Sequence, residues 1–406
     1  MENQLLKKRW IYIMNGFIVL LFMGCSYAWS IFVLPLETTY GWLRSETSLA
    51  FTLNIVFFSV GSILTGMLSK KLSFSTLLKL SGLMIGSGFF LSSFVKDVWL
   101  IYFTYSFLCG AGIGMGYNCV VSSAPLWFPE KTGMVTGILL MGYALSTAIL
   151  GPVINGCINI VGISTTFKIL AIVCMLGLIL GSILLKIPSI EQMGMLPQVD
   201  HNSHKKSYNL ITSEMIKKPI FWIYFILSAL LAGVGLSIIN HASPLLTEEF
   251  FIDASLAAMV ISINSISNGL GRFIWGILYD QLGLKKILSA ISCLMFIAIA
   301  FILTSIMIKA PSLFILSSCL LMFSFGGNAS VIPTIIRELF GHRTFSLNYS
   351  VLCINCLLSS LLPTIVGTLQ TSSGHYTSPV ILLFVVSIIN IVLTIIMLKL
   401  YKKDYE

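Results

Sequence analysis

Twelve stretches of mostly apolar residues dominate this sequence, at approximately 10–36, 46–68, 75–95, 98–127, 133–157, 164–187, 219–241, 254–279, 285–308, 310–336, 345–369 and 378–401. About 20 such residues span the hydrocarbon core of a bilayer as a helix. Inside the bilayer each segment has to satisfy its own backbone hydrogen bonds, which a helix does. The expected fold is therefore an all-α membrane protein with twelve transmembrane helices. The composition, 57% hydrophobic and 10% charged, carries more apolar surface than a soluble domain could hide.

One long hydrophilic stretch interrupts the series, Pro188 to Lys218, containing "PQVDHNSHKKSYN". It divides the chain into an N-terminal six-helix bundle (1–187), a linker (188–218) and a C-terminal six-helix bundle (219–406). The halves echo one another. "GMLSKKL" from Gly66 returns as "GILYDQL" from Gly276, "LWFPEKTG" around Phe128 as "IRELFGHR" around Phe340, and "LGPVING" around Pro152 as "LLPTIVG" around Pro363. The three offsets are 210, 212 and 211 residues. A nearly constant offset indicates a parallel repeat of two pseudo-symmetric bundles.

The net charge of +9 is a matter of topology rather than of nucleic-acid binding. With a cytoplasmic N-terminus, nineteen of the 24 basic residues fall on the cytoplasmic side. Arg44, Lys96, Lys168 and Lys309 lie outside, and Arg272 belongs to neither set. That bias predicts both termini and the linker inside, in a cell inner (plasma) membrane. The basic start "MENQLLKKRW" leads into a run long enough to span, so it reads as a retained first helix. The nine cysteines are scattered without a CxxC pair or a Cys/His cluster, so no metal, cofactor or disulfide framework is expected. No HExxH, GxSxG or phosphate-binding loop occurs, which argues against an enzyme. "GAGIGMG" has a nucleotide-loop spacing but sits inside an apolar segment.

Twelve segments, a mid-chain linker and this repeat resemble the major facilitator superfamily. Its signature turn is matched in the second half by Gly276, Leu278, Asp280, Gly283, Lys285 and Lys286. In the first half Lys70 stands in place of the acid and Ser73 in place of the glycine. Such a turn is either a latch, its Asp pairing in one conformation, or a tight turn with topology-setting lysines. "YAWSIF", "GAGIGMGYN", "WFPEKTGMVTG", "GYALSTAILGP" and "GRFIWGILYD" together resemble the oxalate/formate antiporter family, a relative of the monocarboxylate transporters. The resemblance covers nearly the whole chain.

Arg272 lies inside an apolar segment. A buried arginine there costs at least ~2.5–3.5 kcal/mol on insertion scales and cannot shed its proton. Every Asp and Glu near it in sequence sits at a segment end or in a loop. Arg272 either snorkels toward Asp280 or docks an anion, and a guanidinium fork fits a carboxylate. The resemblance implies the second role. It also implies that Tyr27, Trp29, Tyr117 and Tyr143 cage the substrate, with Ser26 and Asn118 as further candidates. Oxalate carriers place a lysine in the eleventh helix. Here Asn355 or Cys356 occupies that place, which shifts the expected substrate from the oxalate dianion to a monocarboxylate such as formate, lactate or pyruvate. Proton-coupled relatives carry an Asp one turn before the arginine, where this chain has Asn268. His241 is either a proton carrier or an interfacial histidine.

The expectation is a secondary active transporter of small carboxylates, an anion exchanger working by alternating access as a monomer in the lipid bilayer, with no nucleic-acid partner. A proton-coupled symporter, an oxalate/formate exchanger and a non-transporting membrane sensor remain as alternatives.

Overall fold

The computed structural model describes residues 2–25, 29–197 and 209–405, and all regular elements among them are helices. Helix α1 has two parts, Glu2–Met23 and Trp29–Tyr40. It is followed by α2 (Arg44–Leu68), α3 (Phe74–Ser92) and α4 (Val98–Trp127). The helical run Thr132–Leu184 is broken at Gly162 (φ 77°, ψ 167°), giving α5 (132–161) and α6 (163–184). Helix α7 is Pro219–Glu249. The run Ala254–Met307 is broken at Gly283 (φ 74°, ψ 173°) into α8 (254–282) and α9 (284–307). Then come α10 (Pro311–Phe340), α11 in two parts (Phe345–Cys353 and Asn355–Ser373) and α12 (Thr377–Tyr405). Gly162 and Gly283 hold the φ > 0 geometry open only to glycine at low cost, at positions where the chain leaves one spanning helix for the next.

The chain forms two compact units. Unit 1 is Met1–Val199 with Thr344–Cys353; unit 2 is Asp200–Arg343 with Ile354–Glu406. The division thus runs through α11, where Ile354 interrupts the helix without a proline or glycine. The first part of α11 packs on α2. A Cβ at Gly66 would stand 2.8 Å from the Leu347 Cα, and Ser350 Oγ donates to the Ser62 carbonyl at 2.7 Å.

Within unit 1, "GAGIGMG" is a packing device. A Cβ at Gly110 would come within 2.6 Å of the Asn54 carbonyl on α2, and one at Gly114 would overlap the Phe58 carbonyl. Gly112 and Gly116 turn instead to α3, meeting Ile85 and Ser81. Residues four apart share a helix face, so alternate glycines give α4 two flat sides on which two neighbours pack at backbone distance.

Candidate functional site

In unit 2 the polar residues of α8 form a stripe. Asn264, Asn268 and Arg272 recur every four residues, on one helical face, and are 5%, 9% and 3% exposed. Arg272 Nε donates to Asn268 Oδ1 at 3.3 Å, so the side chain turns back along α8, away from Asp280. Asn264 Oδ1 accepts from Ser318 Oγ at 3.1 Å and Cys319 Sγ at 3.3 Å on α10. The two helices meet at glycine. A Cβ at Gly326 would overlap the Asn268 carbonyl oxygen and lie 2.9 Å from Asn268 Oδ1 and 3.0 Å from the Arg272 amide nitrogen. Asn268 offers Arg272 a dipole but no charge.

Asn355 opens the second part of α11 and is 4% exposed. Its Nδ2 donates to Ser228 Oγ on α7 at 2.8 Å. Asn328 of α10 donates from Nδ2 to the Ser228 carbonyl at 3.3 Å. Ser228 thus joins three helices, a role the sequence did not single out. Cys356 is half-buried beside Asn355.

His241 is not part of this cluster. Thirteen residues separate it from Ser228, or about 20 Å of helix. Its Nε2 lies 3.0 Å from the Pro363 carbonyl, which can only accept, so Nε2 carries the proton. Its Nδ1 faces the Tyr376 hydroxyl at 3.4 Å. Burial, with Glu248 and Glu249 nearby, pushes that hydroxyl up to about 12.

At the other end of α8, Gly276 is buried, Asp280 is exposed and Gly283 makes the turn. Lys285 Nζ lies 5.8 Å from the Tyr401 ring centroid. The Glu338 carboxylate accepts from Tyr279 at 2.6 Å and from Tyr401 at 2.7 Å, tying α8, α10 and α12 together. Nothing in the sequence paired those three residues.

In unit 1 the structure brings Tyr117 and Tyr143 edge to face, ring centroids 5.3 Å apart, and Phe58 also meets Tyr117 edge to face at 5.3 Å. Trp29 is buried in the helix packing. Its Nε1 donates to the Thr47 carbonyl at 2.9 Å, and its ring stacks on Tyr105 at 4.0 Å. Asn118 is the hub of a serine network. Its Nδ2 donates to Ser62 Oγ (3.0 Å) and Ser350 Oγ (2.7 Å), while its Oδ1 accepts from Ser122 (2.7 Å) and Ser346 (2.8 Å). Those bonds occupy both ends of the amide. Ser26 and Tyr27 lie outside the described residues. The WFPE segment is a structural knot. Arg9 pairs with Glu130 at 2.7 Å and covers the Phe128 ring at 3.9 Å, and Trp127 Nε1 donates to the Lys186 carbonyl at 2.7 Å. An apolar groove of about 650 Å³ between α3 and α6, lined by residues such as Leu83, Phe90 and Ile172, offers an anion no charge.

The model of the Major Facilitator Superfamily matches residues 16–347 and 225–405. The uncharacterized MFS-type transporter YhjX of Escherichia coli (strain K12) is 24% identical over 355 residues, 87% of this chain and 86% of the relative. The oxalate:formate antiporter of Oxalobacter formigenes is 25% identical over 346 residues, 85% of this chain and 81% of the relative. Among solved structures, the MFS transporter FucP in the outward conformation superposes with a TM-score of 0.73 at 12% identity, covering 95% of this chain and 98% of that one. The fold and the family model agree: this chain belongs to the Major Facilitator Superfamily, and is a multi-pass membrane transporter rather than an enzyme.

Proposed function

We propose that the chain carries small carboxylate anions, monocarboxylates in preference to dianions, and that it does so by exchange. Arg272 carries the reading. It is a permanent cation, 3% exposed, in the middle of a spanning helix, and its Nε donates to the amide oxygen of Asn268 one turn away. Such a group is stabilised by an anion, and the planar fork suits a carboxylate. The similarity to an oxalate:formate antiporter supports the class. The preference for one charge follows from α11, where Asn355 is neutral and no Lys or Arg occurs between Arg343 and Lys399.

Tyr117 and Tyr143, edge to face, are the aromatic residues we assign to substrate contact. The exchange reading is supported by Asn268, which does not ionise, one turn before Arg272, and by His241 lying about 20 Å along α7 from Ser228. In this reading an anion bound at Arg272 favours the occluded state. The termini are assigned to the cytoplasmic side of the inner membrane, and the working form to a monomer.

Reconstitution into proteoliposomes tests the reading. Uptake of labelled lactate or formate should require an internal carboxylate, should vanish in Arg272→Ala, and should recover little in Arg272→Lys, which lacks the fork. Full uptake by a folded Arg272→Ala protein sinks the assignment. Uptake driven by a pH gradient without counter-substrate, and lost in His241→Ala, establishes proton symport instead. No uptake of any carboxylate leaves the sensor reading.

A further inference from the structure

The groove between α3 and α6 carries no charge in its own lining, but a cation stands at one of its ends. Leu80, Leu83, Phe90 and Ile172 line it and stay exposed, and on spanning helices that exposure is to lipid. Met84, Met115 and Met175 line it too, and methionine adapts to irregular apolar shapes. Two contacts lead from the groove to the cation. The Phe90 ring meets the Phe94 ring edge to face at 5.3 Å, and Lys168 Nζ lies 4.8 Å from the Phe94 ring centroid. Lys168 stands one turn before Ile172 on the same face of α6. Among the described residues no carboxylate pairs with it.

Length and packing decide what fits. From Leu80 to Phe90 the groove follows about 15 Å of helix, the depth of one leaflet of a ~30 Å hydrocarbon core. A helix of a second copy would need small residues in order to approach closely. The small residues of this stretch of α3 are Gly82 and Gly86, and α6 already covers both. A Cβ at Gly82 would stand 3.0 Å from the Leu178 Cβ, and one at Gly86 2.7 Å from the Met175 Cβ. A thin, flexible hydrocarbon chain needs no such approach. The lysine amine is a compact point charge that suits a phosphate. Its long stem lets the amine reach the interface from a Cα set about 8 Å into α6.

We propose that this groove seats an acyl chain of an anionic phospholipid whose phosphate is held by Lys168, in the outer leaflet on the assigned topology. The site lies wholly in unit 1 and is independent of the role of Arg272.

Native mass spectrometry of the full-length protein, released from detergent with equal amounts of dioleoyl phosphatidylglycerol and dioleoyl phosphatidylcholine, tests this. The two lipids share their chains and differ in net charge. The unaltered protein should retain phosphatidylglycerol about 5-fold better, the scale of one lysine beside a membrane anion. Lys168→Gln should bring the ratio to about 1. Ser87→Trp fills the groove and should release both lipids. Ser87 is exposed and its hydroxyl donates only within its own turn, to the Met84 carbonyl, so this variant should fold, which thermal unfolding checks. Lys79→Gln removes an exposed lysine beside Leu80, at the other end of the groove, and should leave the ratio unchanged. An unaltered protein without preference overturns the proposal, as does a preference that survives Lys168→Gln. An equal loss in Lys79→Gln marks a diffuse effect of charge and overturns it too. Displacement of the lipid by glycerol phosphate, which has no chains, at the same concentration shows a site for free phosphate in which the groove takes no part. Lipid retained in Ser87→Trp, or a dimer that this substitution dissociates, shows that something other than an acyl chain covers the groove.

Discussion

Replacing Gly326 by alanine tests whether the position of Arg272 is set by the contact between α8 and α10. The substitution adds one methyl group and touches no polar atom. That methyl would overlap the Asn268 carbonyl oxygen and stand 2.9 Å from Asn268 Oδ1 and 3.0 Å from the Arg272 nitrogen, where ordinary contact begins near 3.4 Å. Two of those three atoms are backbone, which cannot rotate away. The helices would have to part by ~1 Å, and overpacking of this kind typically costs about 1–3 kcal/mol. A displacement of that size at a binding group can lower turnover by up to ~10²-fold. Thermal unfolding in detergent and exchange in proteoliposomes measure the two effects. Gly156→Ala on α5, with nothing within 4 Å of the new Cβ, is the control and should change neither. A Gly326→Ala protein with unaltered stability and exchange would show that the seam has slack, and that Arg272 is positioned by something else.

Three further outcomes follow from other contacts. Asn355→Lys should raise the affinity for oxalate relative to lactate, measured by competition, because a second fixed cation offsets the second charge; an unchanged ratio refutes the account of α11. Arg9→Ala should destabilise unit 1 by about 1–3 kcal/mol, since Glu130 is left largely buried and unpaired. The coupling to Glu130→Gln in a double-mutant thermal-unfolding cycle should account for most of that loss. Asn118→Ala should lower the unfolding free energy by a comparable amount, about 1–3 kcal/mol, by removing the acceptor of the Ser122 and Ser346 hydroxyls. Its effect on substrate preference should be small if Asn118 serves packing rather than the anion.

What the sequence discloses is what the bilayer imposes. Twelve long apolar runs, their repeat and the misplaced charge of Arg272 are legible because lipid penalises polar groups wherever they sit in a spanning segment. Glycine is less legible. "GAGIGMG" marks a close approach only once α2 and α3 are known to flank it, because the contact lies in the partners' backbones. The resemblance places Trp29 in the substrate cage, and its indole nitrogen donates to Thr47. That bond is not legible in the sequence, because its acceptor is a carbonyl eighteen residues away that any amino acid would provide. The break at Ile354 has no marker at all, since neither proline nor glycine makes it. Ser228, Glu338 and the WFPE knot are pairings across long sequence distances, and a single sequence holds no record of those.

The geometry around Arg272 bears on why a single cation can serve a transporter. Its guanidinium is held by Asn268 of its own helix, and its backbone by Gly326 of α10. A carboxylate in place of Asn268 would hold the arginine more tightly, at an effective dielectric of ~20 by about 4 kcal/mol at 4 Å, but it would compete with the substrate for the same fork. The neutral amide orients the cation without such competition. That choice also limits the cargo. One carboxylate neutralises one guanidinium, whereas the second charge of a dianion would find the Asn355 amide already committed to Ser228. Desolvating that second carboxylate without a partner costs several kcal/mol, more than the neutral hydrogen bonds at this site can return. On the proposed reading, a neutral Asn355 therefore favours the singly charged anion.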